Sequence, residues 1–542
     1  MTTLSSRKTL RILQKYEFIL PLGLFLFFLA LTLPGISWGY PDGWHPDEIV
    51  ARAIWVLRGE WQFSEINFDY PDLPQYVMFG LGKLVLAFGY TEPDIRVASR
   101  VLSAVLAGLT IVLTCSITRR ISGNTLLAGL SGLLLLSVSA LSHNGRFAHN
   151  DTYITVFTAL AVLFLVNYKG SDQRGWLYAS FLTVGMAASS KYNGISLVLA
   201  PALVYLITQR QTLLKRLLNT CETLFIGGVL TFLGFALGTP KALFWMSYYF
   251  KRMIPALLHT GNYARQPDSV RGIVGQYGSF AEGTGRLLFI LFTVAFLWAV
   301  YKLIRAWRAE KEQRDPQASF IAILMLSILA LDLPIMISYN YVTRFFLPMF
   351  PLFAVLGALF IGEIYKFRQY QMITSTVLGI VILFSFARNI GVMLLFSNDS
   401  RIPASAYVKA LPPGTSLEHT YYPPSIPLGH FEREHNYPIY FKKAPDEELP
   451  TSKKYEFNAG ETGLEERKTD YFVVDTFTSD RFDNPYICGT MPAECDFFKE
   501  LETGHSDHYQ LIAEFSYSLP PYLPQMSIAF VNPGIRIYER IK

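Results

Sequence analysis

VASRVLSAVLAGLTIVLTCSI, residues 97–117, is the stretch on which the fold turns. As an α-helix rising ~1.5 Å per residue it reaches across the ~30 Å hydrocarbon core of a bilayer. Blocks of the same kind recur along the chain, which has 542 residues, 51% hydrophobic and 15% aromatic, only 16% charged, with a mean hydropathy of +0.28. That balance excludes an ordinary soluble domain of this size. The net charge of +5 is no argument for a nucleic-acid partner, because most of it sorts with membrane topology.

The pattern predicts spans near 17–38, 97–117, 124–142, 151–168, 175–190, 194–208, 220–240, 286–304, 318–338, 345–363 and 372–396, about eleven crossings. Short connections on one side carry Arg7, Lys8, Arg11, Lys15, Arg119, Arg120, Lys169, Arg174, Arg210, Lys215, Arg216, the run from Lys302 to Arg314, Lys366 and Arg368, so that side is predicted to be cytoplasmic. The first apolar block lacks a small-residue cleavage site and reads as a retained helix. Three sizeable stretches then fall outside: 39–96, 241–285 and everything from Asn398. The expected division is a transmembrane core, 1–397, and an external α/β domain, 398–542. In that tail Pro412, Pro413, Pro423 and Pro424 punctuate the chain, and Tyr471–Asp475, Tyr509–Phe515 and Ile535–Tyr538 read as strands. Cys488 and Cys495 lie close enough to pair in an oxidising compartment, whereas Cys115 and Cys221 fall within spans and read as packing residues.

Absences narrow the chemistry. The sequence has no phosphate-binding Walker loop, no GxGxxG after a strand, no HExxH, no paired CxxC and no Asp-x-Asp, which disfavours an energised pump or a nucleotide-using enzyme. The first external loop reads WHPDEIVARAIWVLRGEWQFSEINFDYPDLPQY, residues 44–76, with Asp47 and Glu48 ahead of an amphipathic stretch through Ile54, Trp55 and Leu57 suited to the interface. Adjacent helical side chains point ~100° apart, so one carboxylate can face a reacting group while the other holds a partner. The competing reading is that Asp47 only caps that interfacial helix. Further on stand Tyr70-Pro71-Asp72-Leu73, the turn GRFAHND with Arg146, His149 and Asp151, and RFFLPMFPLFAVLGAL from Arg344 to Leu359.

As an ordered set through most of residues 40–360, these segments resemble the GT-C superfamily of membrane glycosyltransferases, such as protein O-mannosyltransferases and aminoarabinose transferases. The resemblance implies transfer of a sugar from a polyprenyl-phosphate donor to an acceptor hydroxyl outside, with inversion and without a nucleotide. Asp47 is the expected general base with Glu48 and Arg146 in supporting roles, Asp151 is the rival base, and Asp151 and His149 otherwise count as supporting residues. Where many bacterial members carry Lys before two prolines, this chain has Tyr70, and Asp72 replaces the second proline. The departing phosphate still needs cations, and Arg146, Lys191, Arg265, Arg271 and Arg344 are external exceptions to the positive-inside pattern, with snorkelling or salt bridging as the competing reading. Tyr70 joins them as a donor-side residue. Asp69 and His259, with Glu48, are candidate ligands for a divalent metal, the only cofactor the sequence leaves open. The acceptor is a lipid, glycan or protein, and the expected location a bacterial plasma membrane before an endoplasmic-reticulum one. A lipid-linked saccharide flippase and a non-catalytic assembly protein remain as alternatives, Asp332 being the one acidic residue inside a span that suits transport.

Overall fold

The stretches predicted to span are largely helical in the computed structural model, although residues 33–38 are irregular and the helix within 124–142 is interrupted at Ser137 and Val138. The structure describes residues 18–63, 68–208, 213–262, 272–309, 315–339, 341–437, 439–442, 444–448 and 460–541, and the side chains at 208, 213–217, 256–262 and 273 lie outside the description. Among the described residues, seven helices are long and apolar enough to cross a membrane: Glu92–Ser122, Asp151–Ser171, Leu218–Gly238, Arg286–Arg308, Ala318–Met336, Thr343–Ile364 and Arg368–Ala410. Shorter apolar helices cover Ile19–Thr32, Leu73–Ala87, Thr125–Leu136 and Tyr192–Ile207. The chain is a multi-pass helical membrane protein with a small sheet domain near its C-terminus.

It divides into two units, one of Met1–Ile36 with Asp47–Ile390, the other of Ser37–Pro46 with Gly391–Lys542. In the first unit, helix ends follow local chemistry. Thr91 and Asp94 form a capping box at the start of Glu92–Ser122, and Gly123, left-handed at φ 64°, ends that helix. Asn124 then caps Thr125–Leu136 by accepting from Leu126 N and Leu127 N, which turns the chain back beside its predecessor. Phe350–Ile364 is apolar on all sides and sits at the centre of the main core cluster, as a helix without a polar face must. Gly185 and Gly234 let Arg174–Ser190 and Leu213–Gly238 pack with their backbones close, since a Cβ at either would strike the opposite main chain.

Three expectations change. Besides Val50–Leu57, where a helix is expected, the loop 39–96 contains a second one, Leu73–Ala87, begun by Pro74 at a position where a missing N–H costs nothing. Residues 194–208 do not form one even helix: Lys191 is extended and Tyr192–Val198 is 3-10 before α-helix resumes at Leu199. Cys221 is exposed rather than packed, while Cys115 is buried.

The second unit is built on β1 (Ser416–His419), β2 (Arg433–Asn436), β3 (Tyr471–Asp475), β4 (Tyr509–Phe515) and β5 (Ile535–Arg540), in the order β2-β1-β3-β5-β4. β1 lies parallel to β2 and β3, and β5 antiparallel to β3 and β4. Phe472, Val474 and Tyr538 face one cluster with Tyr437 and Phe498, while Leu417, Val473 and Ile537 face another with Ala404 and Val408. With both faces covered, β3 is buried along its whole length. A disulfide joins Cys488 to Cys495.

Candidate active site

Asp47 and Glu48 are neighbours with opposite surroundings. Glu48 is buried at 3% exposure, and its carboxylate takes Arg100 Nε at 2.7 Å, Arg100 Nη2 at 2.9 Å, Arg96 Nη1 at 3.0 Å and the Ala148 N–H at 2.8 Å. It fastens the start of the first loop to the turn at 148, a bond repeated by Ile49 N to Ala148 O at 3.1 Å. Asp47, with a side chain 36% exposed, instead meets Arg344 Nη2 at 2.9 Å. It caps nothing: Val50–Leu57 has no side-chain cap bond.

Around that pair gather residues from four elements. Asp151, first in its helix, takes Lys191 Nζ at 2.6 Å and His149 Nδ1 at 2.5 Å. Lys191 also stands 4.4 Å from the centre of the Phe345 ring, beside Arg344 in sequence. Tyr70 packs edge-on to His149 at 5.7 Å and lies beneath the Arg52 guanidinium at 5.0 Å. Arg52 Nη1 and Arg344 Nε are buried with no hydrogen-bond partner among the described residues. Burial lowers the pKa of Arg52 and of Lys191, with Tyr70 and Asp151 respectively as the main opposing charges. It raises the Tyr70 hydroxyl, against Arg344. Burial likewise lowers His149, against Asp151. Arg52, Lys191 and Arg344 bring three cations to one region in which Asp47 keeps a partly exposed carboxylate, an arrangement able to receive an anion while a carboxylate stays in reach.

Behind Tyr70, Asp72 and Lys241 form a buried ion pair at 2.9 Å. Asp72 N donates to Thr239 Oγ1 at 3.1 Å, and Lys241 Nζ lies 4.8 Å from the Phe68 ring centre, so the Tyr70-Pro71 step is anchored to the start of 241–285. Burial raises the Asp72 carboxyl to about 6, with Lys241 pulling the other way.

Several candidates are corrected. Arg146 does not reach this region: it is 1% exposed and donates to Ser142 O and Oγ, Pro34 O and Leu31 O, serving the carbonyls that end the first helix. Glu48 is engaged by two arginines and an N–H. Asp69 is exposed, the His259 side chain lies outside the described residues, and no group of three metal-ligating residues occurs among those described. Arg265 and Arg271 fall outside the described residues. Arg52 and Lys241 were legible as further external cations by the same positive-inside exception, whereas the parts of Arg96 and Arg100 depend on tertiary contact with Glu48.

Next to Lys191 in sequence, Tyr192 lines an apolar cavity of about 400 Å³ with Ile195, Phe232, Phe235, Phe250 and Met253.

Residues 85–253 match the sequence profile of the dolichyl-phosphate-mannose-protein mannosyltransferases. Over 204 residues the chain is 28% identical to undecaprenyl phosphate-alpha-4-amino-4-deoxy-L-arabinose arabinosyl transferase 1 of Pseudomonas fluorescens (strain Pf0-1), a match covering 35% of this chain and 34% of that one, about a third of the relative's length. Among solved structures, the apo oligosaccharyltransferase of Archaeoglobus fulgidus superposes with a TM-score of 0.54 at 12% identity, over 94% of this chain and 75% of that one. The same organism's AglB in complex with an inhibitory peptide and a dolichol-phosphate gives 0.50 at 11%, over 98% and 89%. At these identities the likeness to the solved structures is one of fold alone.

Proposed function

We propose that this GT-C chain is a glycosyltransferase that moves a sugar from a polyprenyl-phosphate donor to an acceptor hydroxyl. The observation that carries the reading is the Asp47–Arg344 pair, set among Arg52 and Lys191, with guanidinium nitrogens of Arg344 and Arg52 buried and unsatisfied. Asp47 takes the proton of the acceptor hydroxyl as its oxygen bonds to the anomeric carbon. The bond from that carbon to the phosphate oxygen breaks with its electron pair, giving an inverted glycoside and a free polyprenyl phosphate. Arg344, Arg52 and Lys191 hold the charge that grows on the phosphate, and Tyr70 supports Arg52 from below. Asp151 with His149 orients Lys191, and Glu48 positions the loop that bears Asp47. The apolar cavity beside Lys191 has the chemistry for the first isoprene units of the carrier. The membrane core is 1–397 and the domain 398–542 external, as is Asp47, in a bacterial plasma membrane.

The test is Asp47→Asn, which keeps size and removes the basic oxygen. Transfer should fall at least about a hundredfold with undecaprenyl phosphate binding intact. Near-normal turnover in Asp47→Asn, with transfer abolished in Asp151→Asn, would move the base to the second external turn.

A further inference from the structure

Arg344 stands on backbone that its own helix holds weakly. It is the second residue of the 3-10 segment Thr343–Met349, entered from the extended Val342, and the turn opens with Phe345 N bonded to Val342 O at 2.9 Å. The first N–H groups of a helix have no partner within it, and 3-10 bonds are poorer than α-helical ones. Support comes from the side, from the helix Ile273–Thr284 of the same unit.

Three hydrogen bonds join that helix and its first turn to residues 341–343. The Gly272 N–H donates to the Tyr341 hydroxyl at 2.9 Å, Ser279 Oγ donates to Tyr341 O at 2.8 Å, and Thr343 Oγ1 donates to Glu282 Oε2 at 3.1 Å. Ser279 and Glu282 are three residues apart and so share a face. Between them Phe280 sets its ring against those of Phe346 and Phe350, at 5.5 and 5.2 Å. Gly283 lets Thr343 come close, since a Cβ there would stand 2.6 Å from Thr343 Cγ2. The helix is fixed from behind as well: Ser139 Oγ donates to Gly283 O at 3.0 Å, and Arg388 Nη2 to Glu282 O at 2.7 Å, a cation at a helix C-terminus. The Thr343 and Arg344 Cα atoms are one peptide apart, about 3.8 Å, so any shift of Thr343 moves the root of the Arg344 side chain.

We propose that Ser279 and Glu282 are positioning residues for Arg344: the helix Ile273–Thr284 brackets residues 341–343 and thereby sets where the guanidinium stands against Asp47 and the departing phosphate. This role rests on the reading of Arg344 as a phosphate-holding cation. It gives the stretch 241–285 a hold on the site at both ends, Lys241 through Asp72 at the start and Ser279 with Glu282 near the end.

The experiment uses the full chain in nanodiscs, with membranes from a strain lacking this chain supplying donor and acceptor. The readouts are kcat and donor KM from polyprenyl phosphate released, the Kd for undecaprenyl phosphate, and the melting temperature. Glu282→Ala removes the acceptor of the Thr343 hydroxyl, Glu282→Gln keeps an oxygen in its place, and Ser279→Ala leaves Tyr341 O without its donor. Glu282 is exposed, so its truncation opens no cavity. Expected is a kcat lowered about tenfold in each alanine variant, with most of the loss recovered in Glu282→Gln. Kd and KM should stay within about threefold of wild type at an unchanged melting temperature, because the phosphate charge is largest in the transition state. In an Arg344→Lys background, already slowed by loss of the fork, the same substitutions should add less than about twofold, since changes acting through one group are not additive. Wild-type kcat in both alanine variants overturns the proposal, and so does an undiminished loss in the Arg344→Lys background. A loss that only follows a falling melting temperature overturns it too. Full turnover and undecaprenyl phosphate binding in Arg344→Ala would instead overturn the reading beneath it.

Discussion

Two regions meet at consecutive residues, the hub around Glu48 and the face around Asp47, and the same ingredients do different work in each. At the hub a carboxylate is buried, met by two arginines and a backbone N–H, and none of its binding capacity is turned outward. At the face a carboxylate meets one guanidinium and keeps more than a third of its side chain accessible. The contrast teaches that an acidic pair in a loop is not two copies of one function: one member is saturated and fixes the backbone, while the other keeps an accessible carboxylate, as the proposed base requires. Breaking each side separately should give different signatures.

The largest effect is expected at the hub. Glu48→Gln leaves Arg100 and Arg96 without their buried counter-charge, which costs about 3–5 kcal/mol. Little folded protein should be recovered, and what is recovered should melt well below wild type in a thermal-shift assay. A variant as stable as wild type would show that the arginines find other partners and that the hub is not structural. Asp47→Asn should behave in the opposite way, with a normal melting temperature and transfer lowered at least about a hundredfold, worth roughly 2.7 kcal/mol on the barrier. If both substitutions lower stability alike, the division between hub and face fails.

A smaller effect separates the cations of the face. Arg52→Gln should weaken undecaprenyl phosphate binding about tenfold, near the lower end of what a charge-assisted hydrogen bond contributes. Tyr70→Phe, which keeps the ring under Arg52, should change it much less. Equal losses in the two variants would assign the binding to the Tyr70 hydroxyl instead.

The membrane helices could be read from sequence because each is a long apolar block, and a block of that length has few other outcomes. Leu73–Ala87 escaped for a local reason: its 15 residues are short for a span and open among Pro71, Asp72 and Pro74, which read as loop punctuation. β1 and β2, four residues each, are too short to show an alternation, unlike β3, β4 and β5. In the candidate site, Asp47 and Arg344 were singled out by residue type and by place in the predicted topology, and their side chains form an ion pair. Arg146 satisfied the same two criteria and fails, because what captures it is a set of carbonyls more than a hundred residues earlier, which no local pattern announces. Arg52 was passed over although it satisfied them too, its charge hidden in a stretch read for its apolar face.

The subtlest comparison is between the Asp47–Arg344 pair and the buried Asp72–Lys241 pair behind it, and pH is the means of making it. The folded Asp72 carboxyl holds its proton up to about 6, against 3.8 for an ordinary one. Folding therefore takes up a proton between those values: the stability from this group is present below about 4 and is lost as pH rises through about 6. At neutral pH the charged pair is a net cost, roughly 1–3 kcal/mol, despite its good geometry. Asp72→Asn removes this titration, so its stability should vary less than wild type's between pH 4 and pH 7.5, with Lys241 left without its buried counter-charge at every pH. Transfer should nevertheless fall, since Lys241 would no longer fix the Tyr70-Pro71 step whose ring packs under Arg52. Thermal unfolding of both proteins across that range checks the first part, and undecaprenyl phosphate release checks the second. An Asn variant several kcal/mol less stable at pH 7.5 would mean that the ion pair holds the fold together, whereas a stabilised but slower variant identifies it as a charge kept for the site it orients.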